Sequence, residues 1–181
     1  MPTMAISTIK YNKDGMPTRA KCRILALGNL DPHTWTKEDC FVPVVSTFEL
    51  QFLIALAASK KCIPKSGDIV QAFIQSVLPH AKKYILRPPP GCPFTPPNSY
   101  WLLKRTLYGL KRSPRHFYQL AKTKLEEVGL TQHPTSPCLF SGEIIKGKPP
   151  LYLGLYVDDF VYFSEDVKWK KNSKINFSQI F

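Results

Sequence analysis

Apolar positions fall along this chain in short, dense clusters separated by proline- and glycine-containing breaks, a rhythm of brief strands and a few helices. Arg19 to Leu27 (RAKCRILAL) has the composition of a strand, and Gly28-Asn29 ends it. A loop through Asp31-Pro32 and Pro43 follows. Ser46-Thr47-Phe48-Glu49 sets a serine three residues before a glutamate at the head of an apolar run, the pattern of a capping box. The helix it opens runs to about Lys60-Lys61, where cations suit the negative end of the helix dipole. Its near-continuous apolar character predicts burial on most sides.

Lys65 to Phe73 reads as a short strand leading into a turn or short helix, and Lys83 to Arg87 as another short strand. Six of the ten residues from Pro88 to Pro97 are proline, which excludes regular structure and predicts a stiff surface loop with polyproline character. Tyr100 to Lys104 returns to strand. Ser113 as N-cap and Pro114 at the first helical position open a second helix. Phe117, Leu120, Ala121, Leu125 and Val128 form its apolar stripe, and Gly129 stops it. Leu139 to Ile145 is predicted to be a strand. Leu151 to Phe163 (LYLGLYVDDFVYF) is apolar on both sides of Asp158-Asp159, which predicts a hairpin with the two carboxylates at its bend. Residues 166–181 carry Lys168, Lys170, Lys171 and Lys174 with weak periodicity, the pattern of a poorly ordered basic tail behind a domain at 1–165. No internal repeat interrupts this order.

At 181 residues and 44% hydrophobic, the chain can build a core and is not a disordered polymer. No apolar run reaches the roughly 20 residues of a membrane helix. Met1 to Lys10 lacks the charged start and apolar stretch of a secretory signal. The expectation is an intracellular, cytoplasmic protein without a membrane partner. Cys22, Cys40, Cys62, Cys92 and Cys138 are scattered without zinc-site spacing, and their odd number argues for reduced, mostly buried thiols.

The charge balance changes the picture. Lys plus Arg is 25 against 13 Asp plus Glu, a formal net charge of +12. From Leu50 to Leu125 the single acidic residue is Asp68, among Lys60, Lys61, Lys65, Lys82, Lys83, Arg87, Lys104, Arg105, Lys111, Arg112, Arg115, Lys122 and Lys124. A surface built for solubility mixes its signs. This one fits a polyanion, nucleic acid above all.

Against that background three carboxylates stand out. Asp158 and Asp159 repel each other inside core-strand sequence, and Asp68 closes an apparent strand before Ile69-Val70. A solvated turn accommodates a lone Asp-Asp pair, and a salt bridge with Lys65 would account for Asp68 alone. Taken together, carboxylates at two strand ends match the two-metal arrangement for phosphoryl transfer, with ions roughly 3.5–4 Å apart. The hard, oxygen-seeking Mg²⁺ is the expected ion, with Mn²⁺ as its substitute.

Tyr156-Val157-Asp158-Asp159 resembles the YxDD box of reverse transcriptases. Asp68-Ile69-Val70-Gln71-Ala72-Phe73 resembles their first metal-binding motif, an Asp followed five residues later by an aromatic. Leu107 to Arg115 (LYGLKRSPR) is similar to the LYGLKQSPR segment of copia-type retrotransposon polyproteins. Arg87 to Gly91 resembles their QPPGF stretch, and Lys21 to Ile24 their KARLV strand. The matches keep family order from about Tyr11 to Glu165.

The resemblance implies an α+β right-hand polymerase core, fingers and an antiparallel palm sheet with helices behind it, the thumb absent. It implies RNA-directed DNA synthesis, with dNTP joined to a primer 3′-hydroxyl on an RNA or DNA template. Asp68, Asp158 and Asp159 would be catalytic, with Ile69 beside Asp68 among the metal-binding positions of two Mg²⁺ ions. Lys21, Arg23, Phe73, Gly109 and Lys111 would contact the nucleotide, Phe73 as the steric gate against a 2′-hydroxyl. A solvated strand charge or an ordinary core phenylalanine would explain Lys21, Arg23 and Phe73 without that role. Tyr156, Val157, Arg112, Ser113, Pro114 and Arg115 would face the template–primer. The polyprotein's integrase and RNase H would be further partners, in a virus-like particle where the element is intact. The resemblance lapses after Glu165, short of the family's remaining palm and thumb. A truncated remnant that only binds nucleic acid is therefore the alternative, and a metal-dependent nuclease a third reading.

Overall fold

The computed structural model describes residues 1–78 and 83–166, so the expected tail at 167–181 lies outside the described residues. In chain order the elements are β1 (Thr3–Tyr11), β2 (Pro17–Ala26), a 3-10 turn (Gly28–Leu30), α1 (Lys37–Cys40), α2 (Thr47–Ser59), β3 (Lys65–Asp68), α3 (Ala72–Gln75), β4 (Tyr84–Leu86), β5 (Trp101–Leu103), α4 (Ser113–Glu127), β6 (Thr131–Gln132), β7 (Leu139–Gly142), β8 (Leu151–Tyr156) and β9 (Asp159–Ser164). They form two compact units, one from Met1–Cys40 with Phe73–His116, the other from Phe41–Ala72 with the chain from Phe117 onward.

In the first unit, β1 and β2 make a long antiparallel ribbon whose partners include Ile6 with Arg23, Thr8 with Lys21 and Lys10 with Arg19. Directly opposed residues share a face, and alternate residues switch faces. Lys10, Arg19, Lys21 and Arg23 therefore lie on one face of the ribbon, while Ile9, Ala20 and Cys22 lie on the other. The base of β2 enters a small core of Ala26, Leu78, Tyr84 and Leu110, packed by Met1, Trp35, Leu103 and Leu107. The β4–β5 hairpin pairs Ile85 with Leu102 and carries the irregular proline loop.

The second unit is built on an antiparallel sheet of five strands, in the order β3-β9-β8-β7-β6. Ser46 caps α2: its hydroxyl accepts from the Glu49 N–H at 3.2 Å, and the Glu49 carboxylate accepts from the Ser46 N–H at 2.7 Å. The helix then lays Leu53 and Ala57 against Cys62 and Phe163. Gly154 of β8 makes room, since a Cβ there would lie 3.3 Å from the Leu53 side chain. Phe117, Ala121 and Leu125 of α4 are buried, as its stripe predicts.

Several expectations are corrected. α2 is not buried on most sides: Leu53 and Ala57 are, but Phe48 is 76% and Phe52 53% exposed. Ser113 does not cap α4; it is the first helical residue, and its hydroxyl donates to the Leu107 carbonyl at 2.6 Å. β7 stops at Gly142, short of Ile145, because Glu143 turns back to accept from the Gly147 N–H. Asp166 is buried beside Ser164. All five cysteines are free, but only Cys62 and Cys138 are buried. β1 was not anticipated.

Candidate active site

β3, β8 and β9 bring the three carboxylates to one end of the five-stranded sheet. Asp159 opens β9 and is the cross-strand partner of both Tyr156 on β8 and Asp68 on β3. The Ile69 N–H donates to the Asp158 carbonyl at 2.7 Å, which makes that opposed pair a hydrogen-bonded one. In an antiparallel ladder the two kinds of pair alternate. Asp68 and Asp159 thus fall at the non-hydrogen-bonded kind, where Cα atoms approach to about 4.5 Å and side chains lie closest.

The neighbours fix this register. Gly67 faces Phe160, whose ring would lie 2.3 Å from any Cβ at that position. The ring fills the glycine's vacant side and pins β3 to β9 one step before Asp68. Ile69, just beyond, is 3% exposed and anchors the strand end in the core. Its side chain has no metal donor; a carbonyl is all it can offer a cation.

Val157 and Asp158 form the two-residue turn between β8 and β9, and Val157 takes φ 55°. A β-branched residue in that region is strained by about 1–3 kcal/mol, and such strain collects at functional turns. Tyr156, at the turn's edge, is 52% exposed. An open pocket of about 290 Å³ adjoins Asp159, with walls that include Val45, Leu50, Tyr156 and Phe160.

Partial burial, then the charges of Asp158 and Asp68, push the Asp159 carboxyl above the usual aspartate value. Among the described residues, no group of three or more His, Cys, Asp or Glu side chains is gathered so as to hold a metal ion. The backbone converges the three aspartates, and their like charges oppose closer approach. Carboxylate oxygens are the hard donors that a divalent cation such as Mg²⁺ prefers.

The remaining candidates lie in the first unit. Lys21 and Arg23 sit on the basic face of the ribbon. Sequence reasoning missed their companions Lys10 and Arg19, because only the hairpin register puts all four together. Phe73 is 8% exposed, and its ring meets Tyr108 edge-on at 4.6 Å between centroids. Gly109 has φ 89°, and a Cβ on it would lie 2.0 Å from the Ala26 carbonyl oxygen. Lys111 is exposed. Arg112 lies over the Trp35 ring at 5.1 Å, and its Nε is buried without a hydrogen-bond partner. Ser113 is buried, Pro114 is half-buried, and Arg115 donates to the Glu38 carbonyl.

The family described as reverse transcriptase (RNA-dependent DNA polymerase) matches residues 1–181. The Retrovirus-related Pol polyprotein from transposon RE1 of Arabidopsis thaliana is 30% identical over 176 residues, 97% of this chain and 12% of the relative. The corresponding polyprotein from transposon RE2 of the same plant is 28% identical over 97% of the chain. That from transposon TNT 1-94 of Nicotiana tabacum is 25% identical over 87% of the chain. The chain spans about 12% of the length of these curated relatives. No solved structure matches. No helix among the described residues is long and apolar enough to cross a membrane.

Proposed function

Because this chain belongs to the reverse transcriptase (RNA-dependent DNA polymerase) family, we propose that it forms fingers and palm of a right-hand polymerase and extends a primer on an RNA or DNA template. The second unit is the palm and the first the fingers in this reading. The observation that carries it is the cross-strand pairing of Asp68 with Asp159, with Asp158 in the adjoining turn. It supports a carboxylate site for divalent cations at the end of an antiparallel sheet.

In the proposed reaction the primer 3′-hydroxyl attacks the α-phosphate of a dNTP, and the bond to the leaving pyrophosphate breaks. Two Mg²⁺ ions, or Mn²⁺, would supply the charge neutralisation at attacking and leaving oxygens when bound. Asp68, Asp158 and Asp159 would hold them, with the Ile69 carbonyl alongside. Lys21 and Arg23 would bind the triphosphate, with Lys111 and the turn at Gly109 beneath the nucleotide. Phe73 would pack under the sugar, a role supported by its five-residue offset from Asp68. Tyr156, Val157 and the segment Arg112 to Arg115 would line the path of template and primer; helix N-termini favour phosphate. The integrase and RNase H of a polyprotein, assembled in a virus-like particle, would be its wider setting.

The test is primer extension on a primed RNA template with Mg²⁺ or Mn²⁺. The expected result is dNTP-dependent extension that Asp68→Asn, Asp158→Asn and Asp159→Asn each abolish. Nucleic-acid binding without extension would make the chain a catalytically silent remnant. Degradation of the primer–template without dNTP would make it a nuclease.

A further inference from the structure

Phe73 is held at both its backbone and its ring by one stretch of its own unit. The buried Thr106 hydroxyl donates to the Phe73 carbonyl. The Thr106 N–H donates to the Ser76 carbonyl at 2.9 Å, and the Arg105 guanidinium to the Gln75 carbonyl at 2.9 Å. Two residues beyond Thr106, the Tyr108 ring meets the Phe73 ring at 4.6 Å with 74° between planes.

Tyr108 is itself fixed. Its carbonyl accepts from the Ala26 N–H at 2.8 Å, at the end of β2. Gly109 lies so close that a Cβ would sit 2.0 Å from the Ala26 oxygen, and one on Gly28 would sit 2.0 Å from the Gly109 oxygen. The two glycines let the turn dock on β2 backbone to backbone, which leaves Tyr108 little freedom to recoil. A ring that rejects a hydroxyl by bulk must not swing aside, and rotation about χ1 is its cheapest escape. The Tyr108 ring, packed against Phe73, stands in that route.

We propose that Tyr108 is a positioning residue for sugar discrimination, holding the Phe73 ring where it excludes a 2′-hydroxyl. The inference rests on the reading of Phe73 as the gate, and the test separates the two. The full 181-residue chain is assayed for insertion of dTTP against UTP on a primed RNA template, and for equilibrium binding of both nucleotides to the same complex. The variants are Phe73→Val, Tyr108→Phe and Tyr108→Leu, the leucine keeping most of the buried volume, with folding checked by circular dichroism.

Phe73→Val and Tyr108→Leu should each lower the deoxy-to-ribo preference by about tenfold or more, whereas Tyr108→Phe keeps it, because the aromatic ring is unchanged. The loss should come from better use of UTP rather than slower insertion of dTTP. A fall with Phe73→Val but none with Tyr108→Leu overturns the role of Tyr108 and leaves the gate standing. No fall with Phe73→Val, or a parent chain that binds neither nucleotide, overturns the gate and this inference with it. A crystal structure of Tyr108→Leu with the Phe73 ring unmoved would also overturn it, whatever the activity.

Discussion

Asp68 stands directly across the β3–β9 ladder from Asp159, two carboxylates from segments 91 residues apart set at the closest kind of antiparallel pair. A fold gains nothing in stability from that juxtaposition. Like charges opposed across a ladder destabilise it. This is the pairing on which the proposed cation site rests.

Asp159→Asn should therefore stabilise the metal-free chain at neutral pH while abolishing extension. The Asp159 carboxyl is raised above its ordinary value, so the folded chain binds this proton more tightly than the unfolded chain. Ionised Asp159 opposes folding above that range, and the opposition fades as pH falls through the raised value. Thermal unfolding of parent and variant should show a gap at neutral pH that closes on acidification. Mg²⁺ should narrow the same gap by stabilising the parent. A gap that widens toward acid would refute this account of the pair.

Gly109→Ala should destabilise the chain by about 3 kcal/mol, because positive φ and a collision with backbone act together. The added Cβ would meet the Ala26 carbonyl oxygen at 2.0 Å, an atom that no rotamer change can move. Gly91→Ala is the control: φ there is 72°, but nothing lies within 4 Å, so only the conformational penalty of about 1–2 kcal/mol applies. Urea denaturation of both variants measures the difference. Equal losses would mean that docking of the turn on β2 is loose.

Much of this was legible in the sequence. The β8–β9 hairpin follows from apolar residues flanking an acidic pair, the capped start of α2 from Ser46 and Glu49, and the end of α4 from Gly129. What remained hidden is what depends on pairing between distant segments. Nothing local to Thr3–Tyr11 says that it lies along β2, so the basic face of Lys10, Arg19, Lys21 and Arg23 could not be assembled. The role of Gly67 is likewise invisible until Phe160 is opposite it. The apolar run of α2 misled for a different reason: hydropathy records what could be buried, not what a neighbour covers.

The basic ribbon face should carry salt-dependent binding of nucleic acid. Replacing Lys10 and Arg19, which the proposed triphosphate contacts do not include, with alanine should flatten the slope of log K against log salt by about two units, near one per phosphate contact. Replacing Lys60 and Lys122 should leave the slope unchanged, since Lys60 pairs with Glu165 at 2.6 Å and Lys122 donates to Gln132 at 2.7 Å near Glu126. Binding titrations with primed template at several salt concentrations decide it. A slope that responds equally to both sets would mean the positive charge acts diffusely rather than from the ribbon.

The exposed side of α2 should make the 181-residue chain self-associate. Phe48 and Phe52 are one helical turn apart, so they share a face, and they are 76% and 53% exposed. Ile54 is 48% exposed on the same helix, and Ile63 just beyond it is 84% exposed. Adjacent exposed rings at Phe48 and Phe52 make an apolar patch of the kind that promotes association. The buried side, Leu53 and Ala57, is separate, so the exposed rings can be changed without opening the core. Phe48→Glu with Phe52→Glu should leave thermal stability within about 0.5 kcal/mol of the parent, as surface substitutions do. Sedimentation velocity over a range of concentrations should then show association in the parent and its loss in the double variant. A parent that sediments as a monomer throughout would show that this face is no sticky patch, and that the helix tolerates water over its phenylalanines.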